Sequence, residues 1–537
     1  MLPNGRTAGL AAALSGLALL SAACSGAAGS PAGGPAATTG NSDTPRVGGT
    51  LIAAAEGAVG AMDNNVSPGG ALTSRVKFHI YDALVNFDYS TEDVPQLVPG
   101  LAEKWETGAD SLTWTFKLRP GVKFHDGTAF DADAYMFNVK RVTEKDFPLY
   151  QPLGAAGKAS HYALIDKVEK VDDLTIKYTL KQPYARFLND LTAQQIASPD
   201  ALKKWGNDEF ANHAAATGPF KFIKNESGVQ FVMQRNEDYW GKKPYLDGII
   251  IRPIPEAVTR VAALQAREVD FINVIHPDYL DQLKANPQLA ISMIPVPNVW
   301  GFQFNSAKPP FNDVRVRRAM NLAVDREAMS RDLLKGVGIP ASVYAPEGND
   351  VYDPAVKSPW YKYDPAQAKA LLTEAGYPNG FKVKFPMPTD GSFNIVPVPM
   401  AEFMAGNLKK NLNVDMEVEL YEWQSYQAER NKKGRELNGA FISFSYNDNT
   451  FTTWGSMNPA GYNNPEVDKL VRQAMTSTNI EGYKKYHIQA EQLVMDEAQW
   501  LLVMQDTEPK AYWANKVKNF KRPKSANWVL TYTWLAQ

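Results

Sequence analysis

One cysteine, Cys24, is all the thiol chemistry in 537 residues, so disulfides contribute nothing to this fold. Charge of one sign is nowhere concentrated: 56 Lys and Arg stand against 58 Asp and Glu. Nucleic-acid binders carry a concentrated basic face, so no nucleic-acid partner is expected. Histidine is sparse, and His79, His125, His161, His213, His276 and His487 show no pair at metal-ligand spacing. Neither a metal nor another cofactor is expected. A Gly-x-Ser-x-Gly elbow, a phosphate loop and a dinucleotide fingerprint are all missing, which leaves an enzyme reading with nothing specific behind it.

What the chain does have is 44% apolar residues, enough for extended cores, and a length of about three domains at about 150 residues each. Arg6 precedes an uncharged stretch, 8–23, too short for a stable bilayer span, and residues 1–23 read as a secretory signal. Cys24 follows Ser21, Ala22 and Ala23, where a peptidase would cut and a thiol would carry lipid, as in a bacterial lipobox. Such boxes usually have Leu where Ser21 stands, so ordinary cleavage after Ala23 stays open. Residues 24–46, rich in Gly, Ala, Ser, Pro and Thr, cannot bury apolar surface and read as a flexible tether. No other segment is apolar enough to cross a membrane, so the expected location is outside the cytoplasmic membrane, lipid-anchored or periplasmic.

From about Gly48 onward, alternating strands and amphipathic helices interleave without an internal repeat, which predicts a mixed α/β architecture. Residues 112–118 and 174–180 alternate as strands, and turns at 119–121 and 126–127 bound a further predicted strand, 122–125. Asp131 is placed to cap a helix with Tyr135, Val139 and Val142 on one face. Residues 225–228 join strands 220–223 and 229–235 as a hairpin. The proline-spaced run 294–297 reads as a crossing between domains. Helices are predicted at 313–324, 325–334, 364–376 and 481–500, and strands at 414–420 and 501–504. Three Trp and Tyr residues within the last ten positions predict a packed tail.

Several blocks, in order over some 400 residues, carry a resemblance. Tyr81-Asp82-Ala83-Leu84-Val85, Pro99-Gly100-Leu101-Ala102-Glu103-Lys104-Trp105 and the run 114–127 ending in Phe124-His125-Asp126-Gly127 resemble the signature of family 5 solute-binding proteins of ABC importers. Thr217-Gly218-Pro219-Phe220, Tyr239-Trp240, the block 311–319 and the block 364–381 are similar to later parts of that family. The resemblance implies a two-lobed periplasmic-binding-protein type II fold with an inserted subdomain, a solute enclosed between hinged lobes, and no catalysis. It implies a first lobe of 48–90, 216–297 and 506–537, an insertion of 91–215, and a second lobe of 298–505. Implied partners are a peptide or other small solute, an ABC permease with its ATPase, and a membrane through the lipid on Cys24, with the protein itself a monomer.

The resemblance also implies site residues. In peptide-binding members a cleft strand ends in an Asp that pairs with the peptide amino terminus, and here Ser445 stands at that position, followed by Tyr446 and Asp448. A hydroxyl offers a neutral hydrogen bond of about 0.5–1.5 kcal/mol where a carboxylate would give a stronger charge-assisted one. Asp448 reads equally as a substitute charge or as a turn residue. Trp423, Tyr446 and Trp454 border the implied cleft, with lobe core as the competing role. Trp300 lies on the first strand after the crossing, and Asp63 and Asn64 lie in the loop after the first strand. A short peptide is the first expectation for the solute, with an oligosaccharide and a metal chelate behind it; a secreted hydrolase or a non-transport sensor are the readings outside this class.

Overall fold

A computed structural model describes residues 44–65, 70–389, 396–422, 425–426, 428–429, 439–445, 461–525 and 527–536. A seven-stranded sheet runs in the order Leu289–Ser292, Lys510–Trp513, Phe271–Ile272, Thr50–Ala55, Gly248–Pro253, Gln230–Arg235, Phe220–Glu226. Its middle strand, Thr50–Ala55, is parallel to both neighbours. That position explains its sequence: Leu51, Ala53, Ala54 and Ala55 are all buried, because a parallel strand inside a sheet is covered on both faces. The hairpin at the sheet's edge turns at Gly228, whose φ of 73° suits glycine, and its first strand extends to Glu226.

Residues between the first and later strands of this sheet build a separate four-stranded antiparallel sheet: Ala102–Thr107, Thr113–Leu118, Thr175–Leu180, Ile165–Asp172. Its alternation delivers Phe116, Leu118, Ile176, Tyr178 and Leu180 to one core. The helix Ala132–Thr143 packs there, started by Asp131, whose carboxylate accepts the Ala134 N–H at 2.8 Å. Tyr135, Val139 and Val142 are buried as their spacing predicts. The expected strand at 122–125 is instead one isolated bridge, Lys123 to Ala129, because tight turns on either side leave it no length to pair. His125 serves the fold there: its ring lies 3.0 Å from the Gly218 carbonyl and accepts the Ala216 N–H at 3.2 Å.

The second lobe holds a four-stranded sheet, Gly338–Pro340, Trp500–Asp506, Asn298–Phe304, Gly439–Ser445, with every pair antiparallel. Lys382–Pro388 and Asp415–Tyr421 form a parallel pair. Asn298–Phe304 and Trp500–Asp506 are buried along their whole length. Helices Val314–Leu322 and Pro365–Glu374 start at Asp313 and Asp364, each accepting a first-turn N–H. The long helix ends at Asp496 rather than 500, since Ala498 takes a left-handed φ of 47° and the apolar run from Trp500 leaves as a strand.

The chain crosses between the two large sheets twice, at 293–297 and 507–509. The first crossing is bonded to the end of the strand that leads into the second: Val296 N–H donates to the Asp506 carbonyl at 3.0 Å, and Gln505 Nε2 donates to the Val296 carbonyl at 3.0 Å. Among the described residues the chain therefore passes between these two sheets at one waist, where both crossings lie side by side. The tail is packed against the first lobe, with Lys510–Trp513 inside its sheet and Trp528 and Trp534 buried.

Candidate ligand cleft

Three of the motif segments meet at one buried carboxylate. Asp82 accepts from Trp240 Nε1 at 2.9 Å, Thr217 Oγ1 at 3.1 Å, Asn86 Nδ2 at 3.2 Å and the Tyr239 hydroxyl at 3.3 Å. Gly218 beside it admits no side chain, since a Cβ would lie 2.4 Å from the backbone of Ile80. Burial pushes the Asp82 carboxyl above its ordinary value, and those neutral donors draw it only part of the way back. The motif residues that are easiest to see in the sequence thus hold the scaffold together.

A second buried carboxylate sits at the waist. Glu508 is gripped by Arg75, by Lys510 Nζ at 3.4 Å and by Arg522 Nη2 at 3.6 Å, all of them buried. Burial alone would raise its pKa, but the three cations outweigh burial and hold it below the ordinary value. Lys510 also donates to Asn273 Oδ1, and Asn273 Nδ2 donates to Glu56 Oε2 at 2.8 Å. Glu56 directly follows Thr50–Ala55, so this network runs from the waist to the carboxyl end of the sheet's middle strand, where ligands of open α/β sheets bind.

Near this waist a cavity of about 670 Å³ opens among the first lobe, the insertion, the second lobe and the tail. Phe87, Tyr89 and Leu97 line one side, Leu188 and Asn189 another, Asn349, Asp350, Ile480 and Lys484 a third, and Lys524 and Ser525 close the fourth. Its size falls within the range of about 300–1,000 Å³ usual for small-ligand pockets, and it pairs apolar walls with a few polar groups.

Of the residues singled out from sequence, Asp63, Asn64, Trp300 and Ser445 are not among those lining this cavity. Asp63 is fully buried and bidentate with Arg141, at 2.9 and 2.5 Å, and also accepts the Asn65 N–H at 2.9 Å, so its oxygens are turned inward to fasten the loop to the insertion. Asn64 Nδ2 donates to the Gln195 carbonyl. Trp300 is 1% exposed within the second lobe's core, because its strand is flanked on both edges and covered on both faces. Asp63 and Trp300, read from the sequence as candidate ligand contacts, Trp300 with core as the competing role, are both buried in this structure. Ser445 ends its strand opposite Asn298. Cys24, Trp423, Tyr446, Asp448 and Trp454 lie outside the described residues.

Residues 96–476 match the family model described as "Bacterial extracellular solute-binding proteins, family 5 Middle". The chain belongs to this family. Family 5 solute-binding proteins are transport receptors rather than enzymes, and the chain has their two-lobed α/β fold. Heme-binding protein A of Haemophilus influenzae is 34% identical to it over 79% of this chain and 81% of its own. The dipeptide-binding protein of Escherichia coli K12 is 32% identical over 70% of this chain and 72% of its own. Among solved structures, the ABC transporter-associated periplasmic binding protein DppA from Helicobacter pylori, in complex with the peptide STSA, superposes with a TM-score of 0.78 at 26% identity, covering 92% of this chain and 99% of its own. No helix among the described residues is long and apolar enough to cross a membrane.

Sequence reasoning did not find the cavity-lining residues Phe87, Tyr89, Asp350 or Lys524.

Proposed function

We propose that this protein is the substrate-binding lipoprotein of an ABC importer. It captures a short peptide or peptide-like solute between two hinged lobes and delivers it, unchanged, to a membrane permease and its ATPase. In this reading 1–23 is a signal peptide, 24–46 a tether held by lipid on Cys24, 48–90 with 216–297 and 506–537 the first lobe, 91–215 the insertion, and 298–505 the second lobe. The protein acts as a monomer outside the cytoplasmic membrane. The observation that carries the reading is the waist, two crossings lying side by side with a ligand-sized cavity beside them. Closure about such a waist traps solute only if the solute binds the closed state more tightly. Ser445, Tyr446, Asp448, Trp423 and Trp454 are the proposed contacts on the second lobe and Asn64 on the first, with a hydroxyl at 445 weakening any grip on a free amino terminus.

Mass spectrometry of the molecule that co-purifies with the protein tests this reading. A thermal-shift screen of defined di- to pentapeptides, oligosaccharides, metal chelates and haem follows, haem being included because a relative is named for it. A true ligand stabilises by about 2.7 kcal/mol at a hundredfold excess over its Kd. Stoichiometric binding of intact peptide supports the reading. Chemical turnover of the bound molecule, or binding confined to sugars, chelates or haem, overturns its peptide assignment.

A further inference from the structure

The loop at 347–350 in the second lobe is held from three directions by parts of the chain far away in sequence. Arg186, at the start of an insertion helix, places Nη1 2.6 Å from Asp350 Oδ2, and its guanidinium lies 5.1 Å over the ring of Tyr483. Lys524 in the tail reaches Glu347 Oε1 at 2.6 Å. Gln505, at the waist, donates to the Glu347 carbonyl at 2.6 Å. The loop is also stiffened from within its own lobe. Asn349 Oδ1 accepts the Val351 N–H at 2.9 Å, and Glu491 accepts the N–H groups of Tyr344 and Ala345 at 2.9 and 2.7 Å. Tyr483 and Glu491 lie on the same helix, Ile480–Asp496, so one element both backs the Arg186 guanidinium and fixes the base of the loop.

We propose that Arg186, Asp350 and Tyr483 form a clasp that holds the insertion against the second lobe and biases the protein toward its compact state before any solute arrives. This rests on the reading of the protein as a hinged receptor and adds how its closure is set. One end of the clasp belongs to the insertion and the other to the second lobe, and buried residues of both also share one apolar core, so separating the two must break the clasp along with that packing. The Arg186 side chain is 4% exposed and Asp350 33% exposed, so on opening the guanidinium regains water and solvent competes for both groups. The contact is therefore made or lost as a unit. A ring face and a carboxylate together also specify Arg over Lys, because only a planar guanidinium can stack and pair at once. The Lys524–Glu347 pair, 35% and 46% exposed, follows closure without driving it.

Small-angle scattering of the purified protein, stripped of co-purified solute by unfolding and refolding, tests the clasp without knowledge of the ligand. The wild-type profile is expected to fit the compact arrangement. Arg186→Ala and Asp350→Asn are each expected to raise the radius of gyration, the double substitution to raise it no further than either alone, and Arg186→Lys to recover only part of the change. Asp350→Asn is a near-isosteric change on a partly exposed loop, which keeps the test open if Arg186→Ala does not fold. A wild-type profile already expanded beyond this structure overturns the proposal, as does an unchanged profile in the folded variants. Shape is read here and not ligand identity, so a failed clasp leaves the peptide assignment standing, and the reverse holds equally.

Discussion

Asp82 and Glu508 are both almost completely buried, 4% and 2% exposed, yet they are held by opposite means. Asp82 is surrounded by neutral donors from Trp240, Thr217, Asn86 and Tyr239, and its pKa rises. Glu508 is surrounded by Arg75, Lys510 and Arg522, and its pKa falls. The first bracket ties segments that belong to one rigid body and would survive loss of its charge. The second lies where the chain passes between lobes, and there the carboxylate balances cations that have nowhere else to go. Burial has the same sign at both sites; what decides the outcome is whether the partners carry charge.

The contrast is broken most severely by Glu508→Ala, which leaves Arg75, Lys510 and Arg522 confined together without their counter-ion. Stability should fall by about 3–5 kcal/mol, read as a shift in urea midpoint. Asp82→Ala strands buried neutral donors instead, and the expected loss is smaller, about 1–3 kcal/mol. Comparing Asp82→Asn and Glu508→Gln across pH sharpens the difference. The Asp82 pKa is raised, so its contribution is fully present below its unfolded value and is lost as pH rises through the folded one. The Glu508 pKa is lowered, so its contribution is present above its unfolded value and is lost as pH falls through the folded one. Urea midpoints at about pH 4 and about pH 7 should therefore show the deficit of Asp82→Asn larger in acid and that of Glu508→Gln larger at neutrality. Equal deficits at both pH values in both variants would remove the distinction. Smallest of all, Lys524→Ala at an exposed pair should cost no more than about 1 kcal/mol and lose that effect in high salt.

Features with local causes were legible in the sequence. Asp131 and Asp364 cap helices because a carboxylate two or three residues ahead of a free N–H needs nothing from the rest of the chain. Residues 174–180 read as a strand because alternation is itself a local pattern. The same alternation at 414–420 predicted the strand but not its burial: Val414 is fully buried, while Leu420 is 48% exposed as the strand runs out of the lobe. Trp300 illustrates the complementary limit, since only the neighbours of Asn298–Phe304 decide that neither face is free. Arg186 and Asp350 are 164 residues apart, and nothing in either segment announces the other. The cavity walls share this property, being drawn from five separate stretches of chain.

The insertion of Lys510–Trp513 between Phe271–Ile272 and Leu289–Ser292 has a consequence for biogenesis. An interior strand of a sheet otherwise built from residues 50–292 is supplied by residues 510–513, so the sheet cannot be completed until the chain has been made through Trp513. Until then Phe271–Ile272 and Leu289–Ser292 wait for a partner strand made long after them, and the sheet stays open along that side.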